Sequence, residues 1–452
     1  MKKNRDPAKL LARGNWVVEE PIRPSVAAGE APARARHQIA RVRFRMKAVL
    51  PLFIFVDACG WEIIKDDPFC GDLAPNRKRL SSVFGYSSAC VPSILSGRWP
   101  MEHRNWSYFV YDPVRSPFRS LRFFRWLPSF VTSRRVFRRW LTKFVKVQLG
   151  FRGYFDLYNI PFRHIALFDF TEKKSPLRAG GMNRGPNIFD ALEERGISYH
   201  VSAPEKTELE NLASLIADIE TEEIDFAFLY WAGLDGLLHR VGNQSKEVPC
   251  KLREYERWID QLLAVSKKHY EEVRLYVFSD HGMASCEELL DLRARIDSLG
   301  LRMSEDYVVV YDSTMARFWY FNERARRLIT DALREIPQGR IVPDSELLEL
   351  RALFTDRYFG ETIFLVKEGV LIVPSHMGEK PIRGMHGYHP EEKHSFAALL
   401  TNQRTIPDEV KAIPDIFQLM VRDAELAKTL NLGGPREFSA CAGGSKPLVC
   451  GR

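Results

Sequence analysis

A chain of 452 residues is about three times the usual ~150-residue domain, so it fits one elaborated α/β domain or two domains and excludes a small disulfide-stapled scaffold. Hydrophobic residues at 45% and charged residues at 27% suit a chain that buries a core, which excludes wholesale disorder and collagen-like or coiled-coil architectures. The net charge of +8 is unevenly spread: residues 1–50 carry +8 and residues 104–152 carry +11, leaving −11 on the rest, so a located anionic partner fits better than a nucleic-acid coat.

Residues 1–46 are rich in Arg, Ala and Pro without sustained periodicity and are expected to form a basic, mobile segment; the Gly- and Ser-rich stretch 433–452 reads as a disordered tail. Between them, over 47–432, short β-rich runs alternate with helical patterns. The runs are 48–56, 164–169, 198–202, 224–231, 273–279 and 306–311, and the helical patterns 186–195, 208–220, 246–269, 322–335 and 414–430. That alternation predicts an α/β fold with a mostly parallel central sheet flanked by helices. The seven cysteines are odd in number, irregularly spaced and without a CxxC pair, so no disulfide framework or thiolate zinc site is indicated and a reducing, cytoplasmic setting is expected. The longest uncharged apolar run, 48–56, is about half the ~20 residues a membrane span needs.

Polar residues gather where the strand patterns end. Asp57 follows PLFIFV, Asp235 follows 224–231 with His239 one helical turn later, and Asp280-His281-Gly282 follows VRLYVFS. In open α/β sheets, ligands collect at the carboxyl ends of strands. A carboxylate ending a buried strand is costly unless it is paired, capped or metal-bound. His386 sits between Gly384 and Gly387, residues that permit close backbone approach. Each feature alone reads as turn or cap chemistry. Together, oxygen and imidazole ligands from separate strand ends are the donor set of a catalytic site for two divalent cations, with zinc expected and manganese the alternative.

Ser87 and Ser88 precede a short apolar pattern ending at Gly97, so either hydroxyl is placed at a helix N-terminus, where backbone N–H groups favour an anion. At this point the chain resembles the alkaline phosphatase superfamily, in particular its type I phosphodiesterase/nucleotide pyrophosphatase branch. The resemblance rests on Leu95-Ser-Gly97, Trp99-Pro100, His103 and Tyr111-Asp-Pro113, together with Asp57, the Asp235/His239 pair, Ser279-Asp-His-Gly-Met283 and His386-Gly-Tyr388. It implies an alkaline phosphatase-like catalytic domain and a nucleophile ten residues before Gly97, which selects Ser87. It also implies one metal on Asp235, His239 and His386, and another on Asp57, Asp280 and His281. The position of the family's phosphoryl-holding Asn falls on Tyr108, taken as a substrate-binding residue. Cys90-Val-Pro-Ser93 matches the start of a sulfatase signature, yet Ile94 replaces its Arg, so Cys90 reads as a buried helix residue.

The resemblance implies a metal-dependent phosphoester hydrolase, most simply a phosphodiesterase with a serine phosphoenzyme. A phosphoglycerol or phosphoethanolamine transferase shares its first half-reaction, and a peripheral membrane protein with a vestigial metal site belongs to a different class. An inserted segment at about 114–160 interleaves aromatic and aliphatic residues with Arg and Lys; between Arg115 and Arg152 there are eleven basic residues and no acidic one. Such a segment serves as a helical cap on the enzyme or as an amphipathic pair on an anionic membrane, whereas nothing in it resembles a specific nucleic-acid-binding fold. In the membrane case the substrate would be a lipid-linked or envelope-precursor phosphoester at the inner face of the membrane.

Overall fold

The computed structural model describes residues 46–124, 126–132, 134–153 and 157–432. Apart from Met46, the expected basic segment 1–46 lies outside the described residues, as does the tail 433–452. Six strands, β1 (Lys47–Val56), β2 (Asn76–Leu80), β3 (Tyr199–Val201), β4 (Phe226–Trp231), β5 (Tyr270–Phe278) and β6 (Ala397–Thr401), form one sheet in the order β2-β6-β5-β1-β4-β3. Strands β5, β1, β4 and β3 are mutually parallel. Strand β6 runs antiparallel to β5, and β2 antiparallel to β6. The helices used below are α1 (Ser87–Ser96), α2 (Arg135–Gln148), α3 (Glu208–Glu220), α4 (Gly233–Val241), α5 (Glu247–His269) and α6 (Ile416–Leu432).

The apolar run of β1 is uninterrupted because the strand is buried on both faces from Val49 onward. Its alternation still sorts the side chains: Phe53 and Phe55 enter the core beneath α1 and α6, while Leu52, Ile54 and Val56 enter the core beneath α3 and α5. The strand's N-terminal end is held by a residue far downstream. Asn431 accepts a hydrogen bond from Val49 N (3.0 Å) through Oδ1 and donates to Val49 O (3.1 Å) through Nδ2.

Two expected strands lie elsewhere. The run 306–311 is a strand, Tyr307–Tyr311, but it pairs with Met315–Tyr320 in a separate four-stranded antiparallel sheet. The run 164–169 folds mostly as a 3-10 helix, Phe162–Leu167, and only Phe168–Phe170 is extended, paired with Phe109–Tyr111. Short apolar runs do not distinguish a sheet strand from a buried turn of helix, and local pairing decides. Conversely, β2 and β6 escape the sequence pattern: NRKRL is a charged edge strand, and AALLT is built from strong helix formers.

The register places the ends of the three central strands at one level, with Val56 opposite Trp231 and Phe55 opposite Phe278. The turns leaving β1 and β5 then meet through glycine. A Cβ on Gly60 would lie 2.3 Å from Gly282 Cα, and a Cβ on Gly282 would lie 2.4 Å from His394 O. The need at Gly282 is thus close approach. Gly282→Ala is expected to cost on the order of 1–3 kcal/mol as overpacking. Gly236→Ala, inside α4 with nothing within 4 Å of its added Cβ, should gain about 0.5–1 kcal/mol from helix propensity. Urea unfolding of the two variants should shift the midpoint in opposite directions.

Candidate active site

Every predicted ligand arrives at this level. Asp57 follows β1 directly, Asp280 and His281 follow β5, and Asp235 is the third residue of α4, which starts just after β4. His239 stands one turn further along the same helix face. His386 is brought in by the short strand Gly384–Met385, which pairs antiparallel with Ala284–Ser285 just past His281. The donor atoms form two groups, Asp235/His239/His386 and Asp57/Asp280/His281, and within each they lie within 4.8 Å of one another. The two groups are the ones the sequence resemblance implied. They touch through His281 and His386, whose rings stack at 3.8 Å.

Hydrogen bonding leaves one atom each of Asp57, Asp280, His239 and His281 facing the cluster. Asp57 Oδ2 accepts from Tyr230 Oη at 2.5 Å, and Asp280 Oδ1 accepts from Ala58 N and His281 N at 3.2 and 3.0 Å. Their other oxygens, Asp57 Oδ1 and Asp280 Oδ2, are buried without a hydrogen-bond partner, as is Asp235 Oδ1. His239 Nδ1 donates to Gly384 O and His281 Nδ1 to Gly282 O, both at 2.9 Å, which turns each Nε2 toward the carboxylates. Oriented imidazoles and half-satisfied buried carboxylates are the donor set of a divalent cation, so these residues fit the expected pair of ions.

The electrostatics agree. Burial, then the charges of Asp280 and Asp235, push the Asp57 carboxyl well above the usual carboxylate range. Burial, with His281 and His239 beside it, holds His386 well below the usual imidazole range, in the neutral form that ligates metals. At His281 burial opposes the charged form, but Asp280, Asp57 and Asp235 outweigh it and raise the pKa to about 10. A proton and a divalent cation are therefore alternatives on its Nε2.

Ser87 is the first residue of α1, and its Oγ lies 3.0 Å from His281 Nε2. Ser88 points elsewhere, its Oγ donating to Trp106 O at 3.2 Å. The structure thus separates two hydroxyls that adjacent positions left open. Cys90 is fully buried in the same helix. His103 is a brace: its Nε2 meets Ser93 Oγ at 2.9 Å, its Nδ1 accepts from Asn105 N at 3.0 Å, and burial keeps it neutral with a pKa of about 3.

The site opens into a cavity of about 730 Å³ lined by Ser87, Asn105, Tyr108, Asp57, Asp235, His239 and His386. Tyr108 forms part of an aromatic wall, its ring set edge-on to Tyr158 and Phe170. Asn105 was not marked by the sequence pattern, because the ungapped count passes it and stops at Tyr108. It is buried, its Oδ1 accepts from Asn183 N at 3.3 Å, and that bond assigns its NH₂ as the donor for the cavity it lines. The signal available in the sequence was His103, which fixes the segment against α1.

A mostly parallel sheet with two carboxylate–imidazole clusters and a hydroxyl at one strand-end level defines the alkaline phosphatase-like class of enzymes. The chain belongs to the type I phosphodiesterase / nucleotide pyrophosphatase family, matched over residues 54–389, and is therefore a hydrolase of phosphoric ester bonds. Among solved structures it is similar in fold to human ectonucleotide pyrophosphatase / phosphodiesterase 5, with a TM-score of 0.58, 14% identity, and coverage of 84% of this chain and 95% of that one. The murine ectonucleotide pyrophosphatase / phosphodiesterase 5 matches with a TM-score of 0.56 and 16% identity at the same coverages. An inactive murine variant in complex with AMP gives 0.56 and 15%, again over 84% and 95%. No curated protein matches the chain.

Three carboxylates brought together in the interior predict a trade between stability and ligation. In chelator, Asp57→Asn should raise the melting temperature by a few degrees, because it removes a carboxyl whose ionisation is opposed by burial, Asp280 and Asp235. With excess divalent cation the order should reverse, since only the wild type keeps the full ligand set. Differential scanning calorimetry in the two buffers checks both signs.

Proposed function

We propose that the protein is a metal-dependent phosphodiesterase that works through a phosphoserine at Ser87. The observation that carries this reading is the Ser87 hydroxyl at the N-terminus of α1, 3.0 Å from His281 Nε2 and beside both ligand clusters. Two divalent cations, zinc or manganese, held by Asp235/His239/His386 and by Asp57/Asp280/His281, would lower the pKa of the serine hydroxyl and offset the charge of the phosphoryl oxygens.

The chain's own groups supply the rest. Ser87 Oγ attacks phosphorus, an O–P bond forms, and the bond to the leaving alcohol's oxygen breaks as that oxygen takes up a proton. The first N–H groups of α1 face the phosphoryl oxygens, and the NH₂ of Asn105 adds a donor where Tyr108 replaces the family's Asn. Water then cleaves the serine phosphoester and returns the free hydroxyl. The murine relative bound to AMP makes nucleotide phosphodiesters one class to assay, beside aryl and alkyl diesters.

Purified without chelator, the protein should contain two equivalents of divalent metal, and His239→Ala and Asp280→Ala should each lower that content; elemental analysis checks it. On a panel of aryl phosphate mono- and diesters, Ser87→Ala should lose ~10³-fold or more in turnover while keeping its metal, and Ser88→Ala should stay active. Wild-type-like turnover in Ser87→Ala, or full activity after metal removal, would refute the mechanism. Asn105→Ala should reduce kcat by ~10²-fold with little change in KM, as expected for a donor used mainly in the transition state.

A further inference from the structure

The inserted segment presents an apolar surface to solvent. Among the described residues, ten of the fifteen exposed large hydrophobic side chains lie between Val114 and Leu149, so the exposure is local. Helix α2 has three distinct stripes. Leu141 and Val145 are buried, Phe137 packs on Phe162, and Arg138 donates to Tyr158 O and Ile160 O at 2.5 and 2.9 Å; this side fastens the helix to the enzyme. Val136, Trp140, Phe144 and Val147 follow at spacings of four, four and three residues and are 80, 60, 49 and 77% exposed, with the Trp140 and Phe144 rings stacked at 5.5 Å. Along the next side run Arg139, Lys143 and Lys146, all exposed. Just before α2, Phe123, Trp126 and Phe130 add 66, 72 and 68% exposed aromatics.

We propose that this surface docks the enzyme on an anionic lipid bilayer and so brings a lipid-borne phosphodiester to Ser87. A helix with one side anchored, an adjacent side apolar and the next side cationic lies in the plane of a membrane interface, aromatics in the acyl boundary and ammonium and guanidinium groups at lipid phosphates. A second copy of the chain is the competing occupant, and charge argues against it. Self-pairing of the surface would set eleven basic residues against eleven, with no acidic residue between Arg115 and Arg152 to offset them. An anionic bilayer supplies both the apolar phase and the opposite charge.

The docking segment also forms part of the catalytic cavity. Lys146 and Arg152 line it together with Ser87, and Val91, Leu177, Met377 and Met385 give it apolar wall. Docking is thus coupled in space to a cavity that suits an amphiphilic diester. The docking surface stands on the inserted segment alone; the substrate class rests on the phosphodiesterase reading.

The test uses the full chain and vesicles of phosphatidylcholine with or without phosphatidylglycerol. Wild type is expected to sediment with the anionic vesicles at low salt, to stay in solution with the neutral ones, and to be released at high salt. The triple variant Trp140→Ser, Phe144→Ser, Val147→Ser and the pair Arg139→Gln, Lys143→Gln should each lose most of that binding, while turnover of soluble bis(p-nitrophenyl) phosphate stays within twofold. A long-chain alkyl p-nitrophenyl phosphodiester carried in anionic vesicles should be cleaved several-fold faster by wild type than by the triple variant. Wild type remaining in the supernatant, variants that sediment like wild type, or a wild-type dimer that the triple variant dissolves would overturn the docking surface. Equal rates on the vesicle-borne ester would overturn the substrate class. Loss of all turnover on soluble diesters by wild type would count against the phosphodiesterase reading and leave the sedimentation result intact.

Discussion

Three carboxylates are forced into one small buried volume by the register of three neighbouring parallel strands. Because β4, β1 and β5 end at the same level, the residues just past them, Asp57, Asp235 and Asp280, cannot avoid one another. Repulsion between like charges in the interior is expensive, and protein hydrogen bonds satisfy only one oxygen of Asp57. Much of the surrounding architecture positions what remains. Tyr230, Ala58 N and the carbonyls of Gly282 and Gly384 each fix a side chain's orientation, and the glycine contact packs the turns that carry Asp57 and Asp280 against each other.

Much of the ligand set was legible in the sequence because Asp57, Asp280 and His281 directly follow apolar runs of strand type, with the Asp235/His239 pair opening the helix after a third. Asp57 after PLFIFV and Asp280 after VRLYVFS need no alignment to stand out, since an unpaired charge at such a place is costly. The nucleophile was different in kind. Adjacent serines at a helix start are equivalent by composition; the family spacing chose Ser87, and the physical reason is the divergence of Ser87 toward His281 and Ser88 toward Trp106 O.

What could not be read was decided by distant partners. Strand β6 takes its conformation from pairing with β5 and β2, against the helix preference of AALLT. Asn105 becomes a donor for the cavity only because His103 and Asn183 hold it. In the insertion, composition announced an amphipathic helix but not which cation was already spent. Arg138 is consumed by two backbone carbonyls, while Arg139 beside it is exposed to solvent.

The clasp of Asn431 on Val49 also sets a timetable. Strand β1 is made early, yet both its sheet neighbours and its clasp come later, the last of them 382 residues downstream. At ~5–20 residues per second, a ribosome needs roughly 20–80 s to cover that distance, during which the most apolar segment of the chain waits without its partners. No nascent fragment ending before β5 holds Asp280 or His281. A nascent chain that ends before β5 therefore lacks part of the site and carries an unpaired apolar strand, the condition under which long-range topologies fold slowly and expose surface to aggregation.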